Sequence, residues 1–256
     1  MNTPMNTPLL ERLTPQIAVL RIATDENPYL TTAMVPGFRR AAEEVAADPE
    51  IRVVLVEGGT KHFSAGARVD ELAASDPSKQ VTSYVAEVPR AILAIPVPTI
   101  AVMEGHAIGG GLVLGLWCDM AVLAEESLYG TNFMALGFTP GMGATAVVPD
   151  AFGGPVGREM LITGRMMKGR EIADARIPLS GSVVPRIAVR ARAMGTAESI
   201  ADTPRGALEL IEVRLKQVRR RALEEALAAE TEMHAELFAN PATRARITER
   251  YVRGVG

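Results

Sequence analysis

Residues 98 to 117 read PTIAVMEGHAIGGGLVLGLW. The first seven, Pro98 to Glu104, are almost continuously apolar and rich in β-formers, the pattern of a strand covered on both faces. Gly105 to Gly111 (GHAIGGG) follows as a loop, and a helical segment continues to Trp117. Strand, loop and helix in succession imply parallel strands joined by crossover helices. Three consecutive glycines, Gly109 to Gly111, are costly where a helix opens, each about 1 kcal/mol worse than alanine in a helix interior. Their benefit is backbone access. A ligand can approach the main chain there, and a helix start presents unpaired N–H groups and the positive end of its dipole. That arrangement suits a developing oxyanion or a phosphate. Close packing of helix on strand accounts for the same glycines. The chain has no G-x-x-x-x-G-K-[ST], nor G-x-G-x-x-G between strand and helix, which disfavours the phosphate loops.

Working outward, Gln16 to Ile22 and Ile51 to Glu57 read as strands, with a helix over Gly37 to Ala47 stopped by Asp48-Pro49. A loop runs from Gly58 to Ala67, and a polar stretch, Ser75 to Ser83, leads into a helical run ending at Ile95-Pro96. Asp119 to Ala124 and Ser127 to Thr131 are further short strands. From Gly153 onward strand patterns vanish. Pro204 to Phe238 reads as a long, interrupted helical region whose early apolar stripe is Leu208, Ile211, Leu215 and Val218. The expected organisation is a flexible N-terminus (1–15), an α/β core (16–200) and a C-terminal helical region (201–256).

The 256 residues carry 27 Lys+Arg against 30 Asp+Glu, so no basic excess points to nucleic acid. A single cysteine, Cys118, excludes a disulfide framework or a multi-cysteine metal site and fits a reducing cytoplasm. No apolar run reaches the roughly 20 residues of a membrane span. Met1 to Pro8 is MNTP written twice, without the basic and apolar regions of a signal peptide. Between Arg205 and Arg221 lie Arg205, Arg214, Lys216, Arg219, Arg220 and Arg221. They read as a solvated helix face, or as a dock for an acidic partner or phosphate. With 4% aromatics and 23 glycines, the core must close by tight packing of small residues.

Four blocks taken together carry a resemblance: His62-Phe63-Ser64-Ala65-Gly66-Ala67, Gly105 to Gly111, Cys118-Asp119, and Gly137-Phe138-Thr139-Pro140-Gly141-Met142-Gly143-Ala144-Thr145. In order and spacing they resemble the crotonase (enoyl-CoA hydratase/isomerase) superfamily from about residue 16 to the end. The resemblance implies a ββα superhelix with a C-terminal helical trimerisation region. It also implies an oxyanion hole for an acyl thioester, made by the backbone N–H groups of Ala67 and Gly110. Hydratases of that family carry two glutamates at the positions held here by Val113 and Phe133. Neither residue can hold a proton, so hydration is not expected.

The run from Tyr129 to Thr145 is similar to the decarboxylating crotonases of polyketide β-branching cassettes. That likeness implies loss of CO2 from a 3-methylglutaconyl-type thioester, with Lys79 and His234 as catalytic residues and Val113, Phe133 and Gly141 lining the pocket. No metal or redox cofactor is implied, because the conjugated thioester is itself the electron sink. The implied partners are an acyl-carrier-protein or CoA thioester and further copies of the chain, as a homotrimer or dimer of trimers. Independently of the likeness, Leu223, Leu227, Glu230, His234 and Phe238 share one helical stripe, and Glu230 lies one turn before His234, placed to orient its ring. A histidine on such a stripe also reads as a satisfied core residue. Asp70, Glu71 and Tyr84 are further candidates, with His62 and His106 as loop supports. The rival functions are an enoyl-CoA isomerase or hydratase and a non-catalytic acyl-thioester-binding trimer.

Overall fold

The computed structural model describes residues 7–68 and 83–243, together with 245 and 249. Four successive strand–strand–helix turns build the core. The first is β1's neighbour β2 (Ile17–Arg21), β3 (Tyr29–Leu30) and α1 (Val35–Ala47), where β1 is Leu9–Arg12. The second is β4 (Val53–Glu57), the short β5 (His62–Ser64) and β6 (Gly66–Ala67), then α2 (Ser83–Ala94). The third is β7 (Thr99–Met103), β8 (His106–Ile108) and α3 (Gly110–Leu116), and the fourth β9 (Met120–Ala124), β10 (Leu128–Gly130) and α4 (Phe133–Leu136). The chain continues through α5 (Ala144–Phe152), α6 (Gly154–Thr163), β11 (Met166–Lys168), α7 (Gly169–Asp174), β12 (Gly181–Val184), α8 (Val189–Ala201) and α9 (Arg205–Ala239).

The first strand of each turn joins a six-stranded sheet ordered β1-β2-β4-β7-β9-β12, parallel except where β1 pairs antiparallel with β2. The second strands of three turns form a smaller sheet, β11-β10-β8-β5, and β3 pairs with β6. This is the ββα superhelix. The large sheet is buried on both faces, which explains its unbroken apolar strands. Val54, Val56, Ala101 and Leu123 face the main core with Phe38, Phe63 and Trp117, while Val53, Leu55, Ile100 and Val122 face α8 through Val189, Ala193 and Ala197. Each fully buried valine or leucine is worth roughly 1.5–3 kcal/mol.

Three expectations are corrected. Leu9–Arg12, assigned to a flexible N-terminus, is an edge strand in register with β2. Strands do not vanish after Gly153: β11 and β12 are short edge strands whose Met-Met-Lys and Gly-Ser-Val-Val sequences carry little β signal. The long helix is uninterrupted, 35 residues from Arg205 to Ala239.

The orientation of α9 also departs from its apolar pattern. Of the expected stripe only Leu208 is buried; Ile211, Leu215 and Val218 are exposed, Val218 to 68%. The face turned inward includes Glu212, Lys216, Arg219, Leu223, Leu227, Glu230 and His234, packed on α2 and α5. Arg205 donates to the carbonyls of Val45 (3.0 Å) and Ile51 (2.8 Å), and Arg220 to that of Leu93 (2.6 Å). Lys216, 1% exposed, donates to the carbonyls of Ile95 and Val97 and pairs with Glu212 at 2.8 Å and Asp119 at 3.2 Å. Arg219 pairs with Asp119 at 3.0 Å and donates to the Leu116 carbonyl. Four of the six basic residues, Arg205, Lys216, Arg219 and Arg220, thus cap carbonyl ends of core elements, while Arg214 and Arg221 keep to the exposed face.

Candidate active site

The second and third turns of the superhelix meet at their glycines. Gly66 has φ +81° and Gly109 φ +55°, conformations that cost a side-chain-bearing residue strain. A methyl group on Gly66 would stand 2.7 Å from the Ile108 carbonyl oxygen and 3.2 Å from the Gly110 nitrogen. The absence of side chains thus brings β6, ending in Ala67, against the first residue of α3. Ser64 fixes the approach: its hydroxyl donates to the Pro28 carbonyl (3.0 Å) and accepts from the Gly66 N–H (3.2 Å). Gly110 opens α3, where backbone N–H groups lack intrahelical acceptors. The strand that ends in Ala67 and the helix that opens at Gly110, predicted from different blocks, pack against each other.

Apolar groups surround this junction. Val113 is fully buried on α3. Phe133 opens α4, and its ring meets Phe138 edge-on, with centroids 5.6 Å apart. A methyl group on Gly109 would lie 3.6 Å from Phe133 Cε1, and one on Gly110 would lie 2.8 Å from the Met142 sulfur. The two positions at which the resemblance implies glutamates in hydratases thus hold buried apolar side chains, with the Asn132 side-chain oxygen beside Gly109. Among the described residues no group of three or more His, Cys, Asp or Glu is arranged to hold a metal ion.

His234 reaches the same region from α9. It is 7% exposed, and its Nε2 lies 2.9 Å from the Thr139 carbonyl oxygen. A carbonyl only accepts, so Nε2 carries the hydrogen of this bond. Burial holds the imidazole below the usual histidine range, although the Thr139 bond opposes that shift. Gly141 lies beside the ring; a methyl group there would stand 3.1 Å from His234 Cε1.

Glu230 does not orient His234 directly, as their spacing suggested. Its carboxylate, on a residue 1% exposed, accepts the Gly143 N–H (2.8 Å) at one oxygen and the Thr145 N–H (2.9 Å) and hydroxyl (2.8 Å) at the other. Burial pushes its pKa up, and the three donors oppose that shift. This role was not visible in the sequence, since it depends on residues more than 80 positions away. Lys79, Asp70 and Glu71 lie outside the described residues. Tyr84 is buried on α2. His62 and His106 stack edge-on at 5.5 Å across β5 and β8, and His106 Nδ1 accepts the Leu128 N–H (2.9 Å), so both act in local support. Cys118 is buried and its thiol pushed up to about 12, which removes it as a nucleophile at neutral pH.

Comparison with known proteins is consistent with this geometry. The family model described as enoyl-CoA hydratase/isomerase matches residues 16–252. The bacillaene synthase decarboxylase PksI of Bacillus subtilis (strain 168) is 31% identical over 232 residues, 89% of this chain and 90% of that protein. A probable enoyl-CoA hydratase, echA8 of Mycobacterium bovis, is 30% identical over 210 residues, 82% of this chain and 81% of that protein. Among solved structures, the ECH2 decarboxylase domain of CurF from Lyngbya majuscula superposes with a TM-score of 0.80 at 28% identity, covering 95% of this chain and 99% of that one. A structure from a dehydratase/decarboxylase enzyme couple of polyketide β-branching gives 0.86 at 27% identity, covering 94% and 98%.

Proposed function

Because the chain belongs to the enoyl-CoA hydratase/isomerase family, as a crotonase-fold enzyme, we propose that it decarboxylates a 3-methylglutaconyl-type acyl thioester in polyketide β-branching. The observation that carries this reading is the pairing of a glycine-lined backbone junction, Ala67 with Gly110, with two buried apolar residues where water-activating glutamates would stand. The similarity to PksI and to the CurF domain supports it.

In this reading the N–H groups of Ala67 and Gly110 donate to the thioester oxygen. The bond between the γ carbon and the carboxylate breaks, and its electron pair moves through the conjugated double bond to that oxygen. CO2 leaves, and a dienolate remains. One proton, delivered to the α or γ carbon by Lys79 or by the imidazolium form of His234 from Nδ1 (its Nε2–H stays on the Thr139 carbonyl), completes the reaction. Each of the two backbone N–H donors is worth about 10²–10³ in rate, since the oxygen it meets gains negative charge on the way to the transition state and dienolate. Val113 and Phe133 keep water from the γ carbon, and Gly141 leaves room beside His234. A cation held tightly on the substrate carboxylate would stabilise the ground state, so positioning or proton delivery suits Lys79 better.

The thioester carrier in this reading is an acyl carrier protein, with CoA as the alternative. The inward-turned basic residues of α9 leave Arg214 and Arg221 for an acidic carrier. The exposed apolar residues Leu210, Ile211, Leu215 and Val218 support assembly with further copies of the chain, as a homotrimer or dimer of trimers. No helix among the described residues is long and apolar enough to cross a membrane; a cytoplasmic site of action is part of the proposal.

The test is incubation with 3-methylglutaconyl thioesters of a carrier protein and of CoA, followed by product mass. Loss of CO2 supports the decarboxylase. An unchanged mass, or one raised by water, overturns it in favour of the isomerase or hydratase that the echA8 similarity represents.

A further inference from the structure

The turn between α4 and α5 touches both halves of the candidate site. Met142 lays its sulfur against Gly110, Gly141 meets the His234 ring, and the Thr139 carbonyl accepts from His234 Nε2. The turn is also strained. Met142 has φ 65° and Gly143 φ 76°, two left-handed residues in succession, the first carrying a long side chain. Such a conformation persists only where its surroundings over-determine it. The turn's own bond, from the Ala144 N–H to the Gly141 carbonyl (3.2 Å), closes it across these two residues, and two side chains hold it from outside. The Trp117 indole N–H donates to the Met142 carbonyl (2.8 Å), and the Glu230 carboxylate takes the backbone N–H groups on both sides of Ala144.

Glu230 and His234 stand one helical turn apart on α9 and reach the same turn at different points. One anchors the start of α5, where an anion is also favoured by the helix dipole; the other bonds to Thr139. We infer that Glu230 is a positioning residue, locking the Thr139–Gly143 turn so that the Thr139 carbonyl meets His234 and Met142 packs against Gly110. Glu230 touches no reacting atom. It acts by removing the turn's freedom to relax out of the left-handed region, which would withdraw the Thr139 carbonyl and release the ring. The inference rests on the reading of His234 as the proton donor.

Glu230→Gln keeps the size of the side chain, but its amide N–H₂ faces a backbone N–H where an oxygen had accepted one. Two readouts are needed. The first is the rate of CO2 release from the 3-methylglutaconyl carrier-protein thioester. kcat is expected to fall about tenfold to 100-fold with KM held within about twofold, the scale of a misplaced catalytic group. On a His234→Ala background the same change should cost little more. The second is the ¹⁵N spectrum of the imidazoles in the resting enzyme. The chain has three histidines, and the His234 signals are identified by their loss in His234→Gln. In Glu230→Gln they should move away from a fixed Nε2–H form.

A folded Glu230→Gln protein with unchanged His234 signals overturns the inference, whatever happens to kcat. If that variant does not fold, Thr145→Val removes one of the three bonds and keeps the backbone donors; it should move both readouts the same way by less, and no movement overturns the inference. If the wild-type enzyme releases no CO2, the decarboxylase reading fails, while the ¹⁵N readout still decides whether Glu230 positions His234.

Discussion

His234 and Thr139 are joined by a 2.9 Å bond in which the imidazole donates to a main-chain carbonyl. The bond fixes the ring's tautomer and ties a side chain near the C-terminal end of the chain to the turn that closes the glycine junction. It also makes the site sensitive to changes that never touch substrate.

Replacing His234 by alanine should lower the rate of CO2 loss about 10²-fold or more, the usual contribution of a positioned proton donor. Thermal unfolding should stay cooperative. Product mass and turnover on the thioester check this, and wild-type turnover in a folded His234→Ala protein would remove His234 from the mechanism.

The glycines should separate into structural and permissive ones. Gly66→Ala combines a left-handed φ with a methyl group 2.7 Å from the Ile108 carbonyl oxygen, backbone that cannot yield cheaply. A loss of about 2 kcal/mol or more is expected from the conformational term and the clash. Gly110→Ala meets only the Met142 sulfur and the Leu30 side chain, which can swing aside. It should cost less stability than Gly66→Ala and still lower activity by displacing Met142. Chemical denaturation beside turnover measurements distinguishes the two; equal losses of stability would contradict it.

Stability should depend on His234 as the solution is acidified. Burial lowers its folded pKa below the 6.5 of a free histidine, so the unfolded chain binds the proton first. The contribution of neutral His234 is present above about pH 6.5 and is lost as pH falls through the window down to its folded value, by at most about 1.4 kcal/mol per pH unit. His106, also lowered by burial, acts in the same direction. Glu230 and Glu212 act oppositely: their raised pKa values give stability back as pH falls through them towards 4.5. Between pH 7.5 and 5.5, urea unfolding of the wild type should lose more free energy than that of His234→Gln; identical losses would show that His234 is not held neutral by burial.

Lys216 is buried with Asp119 and Glu212, so removing its charge strands the Glu212 carboxylate, while Asp119 keeps Arg219. Lys216→Met should cost about 3 kcal/mol, typical of a broken buried pair, whereas adding Glu212→Leu should recover a substantial part. Guanidinium unfolding of the two proteins reads the difference. A neutral Lys216→Met would mean that the cluster adds nothing to docking α9.

The exposed apolar residues of α9 should matter to assembly rather than to the fold of one chain. Ile211→Asp with Val218→Asp should lower the mass seen by light scattering while leaving the helix signal of the protein intact. An unchanged mass would place any interface elsewhere.

Much of this molecule is legible in its sequence. The unbroken apolar runs of β4 and β7 reveal a sheet covered on both faces, because each alternate residue meets a different apolar layer. The glycine blocks reveal a backbone junction, since only the absence of Cβ allows β6 and α3 to approach. Val113 and Phe133, read as apolar at two positions where the resemblance implies glutamates, are both buried. Tertiary structure alone decided the rest. The edge strands β1, β11 and β12 are three or four residues long, and their pairing partners, not their own propensities, make them strands. On α9 the apolar stripe pointed to one face, yet the helix turns Lys216, Arg219 and Glu230 inward and leaves Ile211 and Val218 outside. Periodicity reports that a helix has two faces but not which one meets the core. That choice was made by carbonyls such as those of Val45 and Ile95 and by the N–H groups of Gly143 and Thr145, groups distant in the chain that needed charged partners once they were buried.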